Sequence, residues 1–245
     1  MYSMVSVLGV NFANLTMNEV FLEATTYLHD QQPHVIITAG PEFVMHLKVN
    51  EKLQHIVQRA DFITPDGNGI VMASRWYGKP LKERVTGVEL TPLLLRYAEY
   101  HHLRVYVLGA SEEASTLAIA NILRAYPGLM VKGRNGYFTK DQEHAVVEDI
   151  RAFAPHLLLV GLGQPRQEVF IDQYREKLAV PLAIGVGGTI DILAGTVKRS
   201  PQFFQQVKME WLYRLLKEPR RFRRQLVLPV FAWQAYWDAR RRSTT

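Results

Sequence analysis

Short, almost wholly apolar runs alternate with segments of helical periodicity through most of the chain, and this alternation most strongly constrains the fold. Unbroken runs of β-branched residues and leucine are typical of strands buried on both faces. Such runs occupy residues 35–38, 62–64, 104–108, 157–160 and 182–186. Amphipathic helical patterns occupy residues 42–59, 69–77, 90–101, 112–126, 142–153 and 167–178. The order of these elements predicts an α/β protein with a Rossmann-like, mostly parallel sheet covered by helices.

Glycine-rich turns follow several of these strands, at residues 64–67, 109–111, 161–165 and 185–188. In open parallel sheets, ligands bind beyond the carboxyl ends of the strands. The turns therefore mark the expected binding edge. Residues 1–14 alternate apolar positions and lack the basic start and long apolar stretch of a signal peptide, so they are expected to form a first strand.

Basic residues are concentrated at the end of the chain. Residues 196–245 contain 12 of the 29 Lys and Arg but 3 of the 23 Asp and Glu, a net charge of +9 that leaves −3 for residues 1–195. The pattern predicts an α/β domain over 1–195 and a basic helical appendage over 196–245 that meets an anionic partner. No apolar run reaches the roughly 18 residues that span a bilayer, so membrane contact would be peripheral. The absence of Cys suits the cytosol.

Asp66 is the candidate for acid–base chemistry. It lies in Thr-Pro-Asp-Gly-Asn-Gly (64–69) between a strand and a helix, where its carboxylate can accept a proton from a hydroxyl group. An ordinary turn or helix cap explains the same residue types, and both interpretations stay open. Arg84, at a loop-to-helix junction, suits bidentate recognition of phosphate or hydroxyl groups, although a solvated arginine is the simpler interpretation.

Two further strand-to-helix turns are candidates for ligand binding. In residues 161–168, backbone N–H groups, Arg166 and Gln167 can surround a phosphate or a sugar; the alternative is a tight connection with Arg and Glu on the surface. In residues 185–191, the glycines permit close approach of a ligand, and Asp191 can hydrogen-bond a base or ribose. Neither turn has the G-x-G-x-x-G spacing, which disfavours an NAD-dependent oxidoreductase.

Tyr137 lies beside glycines in Gly-Arg-Asn-Gly-Tyr-Phe (133–138) and offers a stacking platform for a nucleobase. The alternative is a hairpin-like turn in which Tyr137 is half-buried. No group of His, Asp or Glu has the spacing of a metal site, and there is no Asp-x-Asp pair, so a nucleotide-sugar transferase of this sequence would work without a metal. No cofactor is predicted.

Six segments, taken together and in this order, resemble the WecG/TagA/CpsF glycosyltransferase family. They are Thr-Pro-Asp-Gly (64–67), Arg-Val-Thr-Gly-Val-Glu (84–89), Gly-Tyr-Phe (136–138), Gly-Gln-Pro-Arg-Gln-Glu (163–168), Gly-Val-Gly-Gly-Thr-Ile-Asp-Ile-Leu-Ala-Gly-Thr-Val-Lys-Arg-Ser-Pro (185–201) and Glu-Trp-Leu-Tyr-Arg-Leu (210–215). The resemblance implies a membrane-associated inverting enzyme. It would move N-acetylmannosamine (ManNAc) from a UDP-sugar donor to GlcNAc-diphospho-polyprenol, as in teichoic acid linkage units and other surface polysaccharides.

The resemblance also implies roles for individual residues. Asp66 would be the general base on the acceptor hydroxyl. The pocket for the sugar and the acceptor would be lined by Thr38, Arg84 and Gln167. The nucleotide would be contacted by Gly136, Tyr137, Gly187, Gly188 and Asp191, with the tyrosine stacked on uracil and the aspartate hydrogen-bonded to it.

Position 40 departs from the family's pattern. The family commonly has Thr-x-Asn-Pro-Glu after this strand, whereas the chain has Thr-Ala-Gly-Pro-Glu (38–42). Gly40 lacks an amide that would lie near the donor sugar. The donor therefore stays open between UDP-ManNAc, UDP-N-acetylmannosaminuronic acid and another UDP-hexose.

The basic appendage would bring the site to a lipid-linked acceptor at an anionic membrane surface. Anionic headgroups and the lipid's diphosphate would attract Arg214, Arg221 and Arg224, at about 1 kcal/mol for each basic residue. The membrane interface would favour Trp233, Tyr236 and Trp237, unless they pack in the core. The expected location is cytoplasmic, peripheral on the inner face of the plasma membrane.

A nucleic-acid-binding module that uses the basic segment is the alternative from another functional class. It would leave the loops of Asp66, Tyr137 and Gln167 without a role, so no nucleic-acid partner is expected. The sequence leaves open whether the chain forms a homo-oligomer.

Overall fold

The computed structural model describes residues 2–197 and 226–242. A hairpin of β1 (Met4–Val7) and β2 (Val10–Ala13) precedes a six-stranded sheet. The strands of the sheet are β3 (His34–Ala39), β4 (Phe62–Pro65), β5 (Arg104–Gly109), β6 (Met130–Arg134), β7 (Leu157–Gly161) and β8 (Leu182–Gly185). All six are parallel and lie in the order β4-β3-β8-β7-β5-β6. The predicted α/β fold is confirmed.

Two strand assignments differ from the prediction. The edge strand β6 was not expected, because its sequence Met-Val-Lys-Gly-Arg is only partly buried and carries no apolar run. The N-terminal segment, expected to be one strand, is the antiparallel hairpin β1–β2. Its reversal falls at Leu8 and Gly9, which both have positive φ.

The described helices are α1 (Met17–Tyr27), α2 (Pro41–Leu47), α3 (Glu51–Arg59), α4 (Asn68–Trp76), α5 (Gly87–Tyr100), α6 (Glu112–Ala125), α7 (Glu143–Phe153), α8 (Arg166–Leu178), α9 (Thr189–Ala194) and α10 (Val227–Arg242). The single helix predicted over 42–59 is two helices. The side-chain oxygen of Asn50 accepts the N–H of Leu53 at 3.2 Å and begins α3 there, as an N-cap does.

Successive residues of the sheet alternate between two apolar layers. In β3, Ile37 packs with the layer that contains α2, α3, α4, α7 and α8, and Ile36 packs with the layer of α1, α5, α6 and α9. In β5, Tyr106 and Val107 alternate in the same way. Helices therefore cover both faces, which leaves the strand ends as the place where polar groups can gather.

Helix α10 packs on α2 and α4 and buries Phe231 and Ala235 in the core. The Tyr77 hydroxyl holds it there by donating to Asp238 Oδ2 at 2.8 Å and accepting the N–H of Leu8 at 3.2 Å. The aromatic residues expected at the membrane interface are exposed by 64%, 37% and 50%, in the order Trp233, Tyr236 and Trp237.

Residues 198–225 of the predicted helical appendage lie outside the described residues, and with them Arg214, Arg221 and Arg224. Within residues 2–197 and 226–242, no helix is long and apolar enough to cross a membrane.

Candidate active site

Asp66 begins the loop that follows β4, at the carboxyl edge of the sheet. Its backbone N–H donates to the Ala39 carbonyl at 3.0 Å, which holds this loop against the end of the neighbouring strand β3. The Val85 N–H donates to the Pro65 carbonyl at 3.0 Å, so the segment that carries Arg84 joins the same place. Asp66 is half-buried. Asp66 thus lies at the carboxyl edge of the sheet, where the loops after β3 and β4 meet.

Gly40 is in close contact with the Asp66 loop. A Cβ at position 40 would lie 2.7 Å from the carbonyl oxygen of Asp66, closer than side chains normally approach. The φ of Gly40 is −94°, so its role is steric and does not depend on a left-handed backbone. The residue that departs from the family's pattern is therefore the one that lets these two loops touch.

Arg84 is paired with Glu89 at the start of α5. Its Nη2 lies 2.9 Å from Glu89 Oε1, and 20% of its side chain is exposed. Glu89 Oε2 accepts the hydroxyl of Thr86 at 3.0 Å, and Thr86 caps α5 by accepting the N–H of Glu89. The guanidinium is thus held at the edge by a carboxylate of helix α5.

Thr38 and Gln167 are almost fully buried, with 4% and 1% of their surface exposed. The Thr38 hydroxyl donates to the Gly185 carbonyl at 2.9 Å. Gln167 Oε1 accepts the N–H of Gly187 at 3.1 Å. Both side chains therefore bind the backbone of the turn after β8. Their predicted contact with sugar or acceptor stays a prediction.

Glu168 follows Gln167 and is 1% exposed, unlike the surface glutamate of the sequence-based alternative. Its Oε1 accepts Gln167 Nε2 at 2.8 Å. Its Oε2 has no hydrogen-bond partner among the described residues. Burial raises the pKa of the Glu168 carboxyl to about 7, against smaller opposing effects of hydrogen bonds from the Gln167 side chain, the Glu168 backbone and the Gln164 side chain, because a buried charge loses its hydration.

The turn expected to contact the nucleotide follows β8 directly. Gly187 has φ +52°, a conformation that glycine adopts without strain. Gly188 is exposed, and Asp191 is half-buried in α9. Helix α9 packs against α6, where Asn121 Nδ2 donates to the Leu193 carbonyl at 3.0 Å. Asp191 Oδ2 lies beside the turn, 3.9 Å from the place that a Cβ at Gly188 would occupy.

The loop of Gly136 and Tyr137 follows the edge strand β6. The Gly136 N–H donates to the Ala110 carbonyl at 2.9 Å, which ties the loop to the end of β5. Tyr137 is 81% exposed, so its ring is not half-buried as the alternative required. The exposed ring lies beyond the end of β6, on a loop that the Ala110 contact ties to β5.

The side chain of Arg166 supports the loop of Gly136 and Tyr137. Its guanidinium donates to the carbonyls of Gly136 at 2.9 Å and Phe138 at 3.1 Å, and its Cζ lies 4.6 Å from the centre of the Phe138 ring. The sequence suggested that Arg166 could surround a phosphate or sugar. In the structure, these donors are directed at backbone oxygens of the loop.

The structure gathers the candidates at one edge in two groups. Around the ends of β4, β3 and β8 lie Asp66, Thr38, Arg84 and Gln167. Around β5, β6 and α9 lie Gly136, Tyr137 and Asp191, with Gly187 and Gly188 between the two groups. Five strand spacings of roughly 4.8 Å separate β4, which leads to Asp66, from β6, which leads to Tyr137, about 24 Å in all. An extended ligand with an aromatic base near Tyr137, together with a second molecule whose hydroxyl lies near Asp66, suits this arrangement.

Charge and contact at this edge come partly from residues that sequence reasoning overlooked. Glu89 pairs with Arg84, and Gln164 Nε2 donates to the Thr38 carbonyl at 2.8 Å. Both residues lie within the motifs named above, and Glu89 is five residues from its partner, whereas the partner of Gln164 is 126 residues away. In the part of the chain that is described, no three His, Asp or Glu side chains are grouped to hold a metal ion.

Comparison with known proteins gives a family match over nearly the whole chain. Residues 5–245 match the glycosyl transferase WecG/TagA/CpsF family. A Bacillus spizizenii protein named N-acetylglucosaminyldiphosphoundecaprenol N-acetyl-beta-D-mannosaminyltransferase is 39% identical over 207 residues, which cover 84% of this chain and 80% of the relative. A Staphylococcus aureus (strain MW2) protein of the same name is 32% identical over 232 residues, or 94% of this chain and 91% of the relative.

Proposed function

Because the chain belongs to the WecG/TagA/CpsF family of glycosyltransferases, we propose that it transfers N-acetylmannosamine from UDP-ManNAc to a GlcNAc-diphospho-polyprenol. The acceptor and the sugar follow from the names of the two relatives, which act on N-acetylglucosaminyldiphosphoundecaprenol as mannosaminyltransferases. The observation that carries the proposal is the half-buried Asp66 at the strand edge, opposite the exposed ring of Tyr137.

In the proposed reaction, the hydroxyl oxygen of the acceptor attacks the anomeric carbon of the donor. A carboxylate oxygen of Asp66 accepts the proton of this hydroxyl during the attack. The bond from this carbon to the β-phosphate oxygen breaks, and UDP departs with the electron pair. Attack from the side opposite the leaving group inverts the anomeric centre. A positioned general base contributes typically about 10² to 10⁴ in rate.

The remaining candidate residues contact different parts of the donor and the acceptor. Uracil stacks on Tyr137, whose exposed ring is available to it, and hydrogen-bonds Asp191. The turn of Gly187 and Gly188 lies along the diphosphate. Arg84, held by Glu89 at 2.9 Å, contacts the sugar or the acceptor. Thr38 and Gln167 support this half of the site by holding the turn after β8.

The appendage over 196–245 is proposed to dock the α/β domain, residues 1–195, on the cytoplasmic face of the membrane. Its net charge of +9 favours an anionic surface. Trp233 and Trp237 are exposed by 64% and 50% on α10, and such rings favour the interface between water and lipid. The enzyme would act there as a peripheral protein on an acceptor whose polyprenol stays in the bilayer.

The test is UDP release by the purified chain with UDP-ManNAc and a short-chain GlcNAc-diphospho-lipid, comparing wild type with Asp66→Asn. We expect acceptor-dependent release that falls at least about a hundredfold in the variant. Asp141→Asn, an exposed aspartate before α7, is the matched control and should retain the wild-type rate.

Two outcomes would contradict the proposal in different ways. An unchanged rate in Asp66→Asn would remove Asp66 as the base. Release only with UDP-N-acetylmannosaminuronic acid or another UDP-hexose would change the donor but not the type of reaction. These donors are tested because Gly40 departs from the family's pattern near the donor sugar.

A further inference from the structure

Glu168 is a buried acid that the proposed reaction does not use. It lies in the first turn of α8 with 1% of its surface exposed, and its Oε2 has no hydrogen-bond partner among the described residues. Acidic side chains are rarely buried this fully unless they are paired. Its neighbour Gln167 accepts the Gly187 N–H, which links Glu168 to the turn after β8.

The direction of the hydrogen bonds around Glu168 is determined by the backbone. The N–H of Gly187 can only donate, so the Gln167 atom 3.1 Å from it is the amide oxygen. The amide nitrogen of Gln167 must then point the other way, toward Glu168 Oε1 at 2.8 Å. Glu168 is therefore required as an acceptor at this oxygen, and the pair of bonds sets one orientation of the amide.

The Gln167 amide lies directly against the backbone of Gly185. A Cβ at Gly185 would lie 2.5 Å from Gln167 Nε2 and 3.1 Å from its Cδ. The side chain thus fills a slot that exists because residue 185 is glycine. Movement of the amide would move the Gly187 backbone with it.

Charged groups near Glu168 are engaged with other partners. Arg59, Asp172 and Arg175 line the same small cavity as Glu168. Arg59 pairs with Asp172 at 3.2 Å, and Arg175 donates to the carbonyls of Pro33 at 3.0 Å and Arg59 at 2.7 Å. Among the described residues no ion pair includes Glu168, so a charge on it would be both desolvated and uncompensated.

We propose that Glu168 is a positioning residue for the nucleotide end of the site and that it works as a neutral carboxylic acid. By accepting Gln167 Nε2 it holds the amide that receives the Gly187 N–H, and so it sets the turn that leads to Gly188 and Asp191. The raised pKa of its carboxyl agrees with the neutral form. This inference rests on the proposed function in one respect, the assignment of that turn to UDP.

The first experiment measures UDP binding by calorimetry at pH 6 for wild type, Glu168→Gln and Glu168→Leu. Gln keeps an acceptor oxygen and mimics the neutral acid, so its affinity should stay within about twofold of wild type, whereas Leu should lose about tenfold or more. Glu176→Leu, at an exposed position of α8, is the control and should bind as wild type does. Wild-type affinity in Glu168→Leu would overturn the positioning role.

Two measurements do not depend on UDP. Hydrogen exchange in a peptide spanning 182–191 should be faster in Glu168→Leu than in wild type and unchanged in Glu168→Gln. The infrared band of a protonated carboxyl at pH 6 should be present in wild type and absent in Glu168→Gln. If Glu168→Leu does not fold, the infrared comparison of wild type and Glu168→Gln still tests whether Glu168 is protonated. Absence of the band in wild type would overturn the proposal that Glu168 is a neutral acid.

The two hypotheses fail separately. A wild-type chain that binds no UDP contradicts the proposed function, while the exchange and infrared results still judge Glu168. A wild-type chain that binds UDP, together with a Leu variant that exchanges and binds like it, contradicts the inference alone.

Discussion

Gly40→Ala is expected to slow catalysis by displacing Asp66. The added Cβ would lie 2.7 Å from the Asp66 carbonyl oxygen, whereas ordinary van der Waals contact begins at 3.4 Å. Alanine is compatible with the φ of −94° at this position, so the substitution adds a steric contact without straining its own backbone.

The two loops would have to separate by the difference between these distances, about 0.7 Å. Misplacement of a reacting group by about 1 Å costs up to roughly a hundredfold in rate. We therefore expect kcat to fall about ten- to a hundredfold, with a loss of about 1–3 kcal/mol in the free energy of unfolding from overpacking. UDP affinity should change little, because Tyr137 lies on another loop and Asp191 in helix α9.

The assay is steady-state UDP release with saturating donor and acceptor, alongside urea denaturation and UDP titration. Gly128→Ala is the matched control, since a Cβ there would meet Glu99 at an ordinary 3.5 Å. A Gly40→Ala variant with wild-type kcat and wild-type stability would refute the reasoning, because it would show that the loops separate at no cost to Asp66.

Three further predictions follow from single contacts. The pKa of Glu168 is raised from 4.5 to about 7, so the unfolded chain ionises before the folded one and stability falls as pH rises through this window. The Glu168→Gln variant has no such loss. In urea denaturation, its free energy of unfolding minus that of wild type should therefore increase by about 3 kcal/mol between pH 4.5 and 8. Tyr137→Ala should weaken UDP binding about tenfold in a fluorescence titration, with an unchanged unfolding midpoint because the ring is 81% exposed; equal loss in Tyr137→Phe would argue against stacking. Tyr77→Phe removes the hydroxyl that joins Leu8 and Asp238. The variant should lose about 1–3 kcal/mol in the free energy of unfolding, and trypsin should cleave it faster after Arg240. An unchanged digestion pattern would show that the apolar contacts of α10 are enough to hold this helix in place.

Much of the fold could be predicted because its signals are local. The strands β3, β5, β7 and β8 are buried on both faces, so each is an apolar run that stands out without knowledge of its neighbours. The edge strand β6 has a neighbour on one side only and carries Lys132 and Arg134, so nothing in its sequence distinguishes it from a loop. The break at Asn50 was also missed, because helical periodicity continues across it.

The candidate site could be predicted in part for a related reason. Turn chemistry after a strand is visible in sequence, and it identified Asp66 and the glycines at positions 187 and 188 as edge residues. Tyr137 was predicted as a loop residue only, because the strand before it was not recognised. Their neighbours were not visible, since the Asp66 loop is held by Ala39 and the Tyr137 loop by Arg166. A hydrogen bond between distant segments leaves no pattern in one sequence.

The sequence by itself determined most of the strands and helices, the edge where polar loops collect, and the basic end of the chain, because these depend on the residue types in each segment. Only the tertiary structure decided that Gln167 and Glu168 are buried, that Arg166 supports a loop, and that Gly40 brings two loops into contact. Burial and partner choice are properties of the space between segments, and that space exists only once the sheet has been assembled in the order β4-β3-β8-β7-β5-β6.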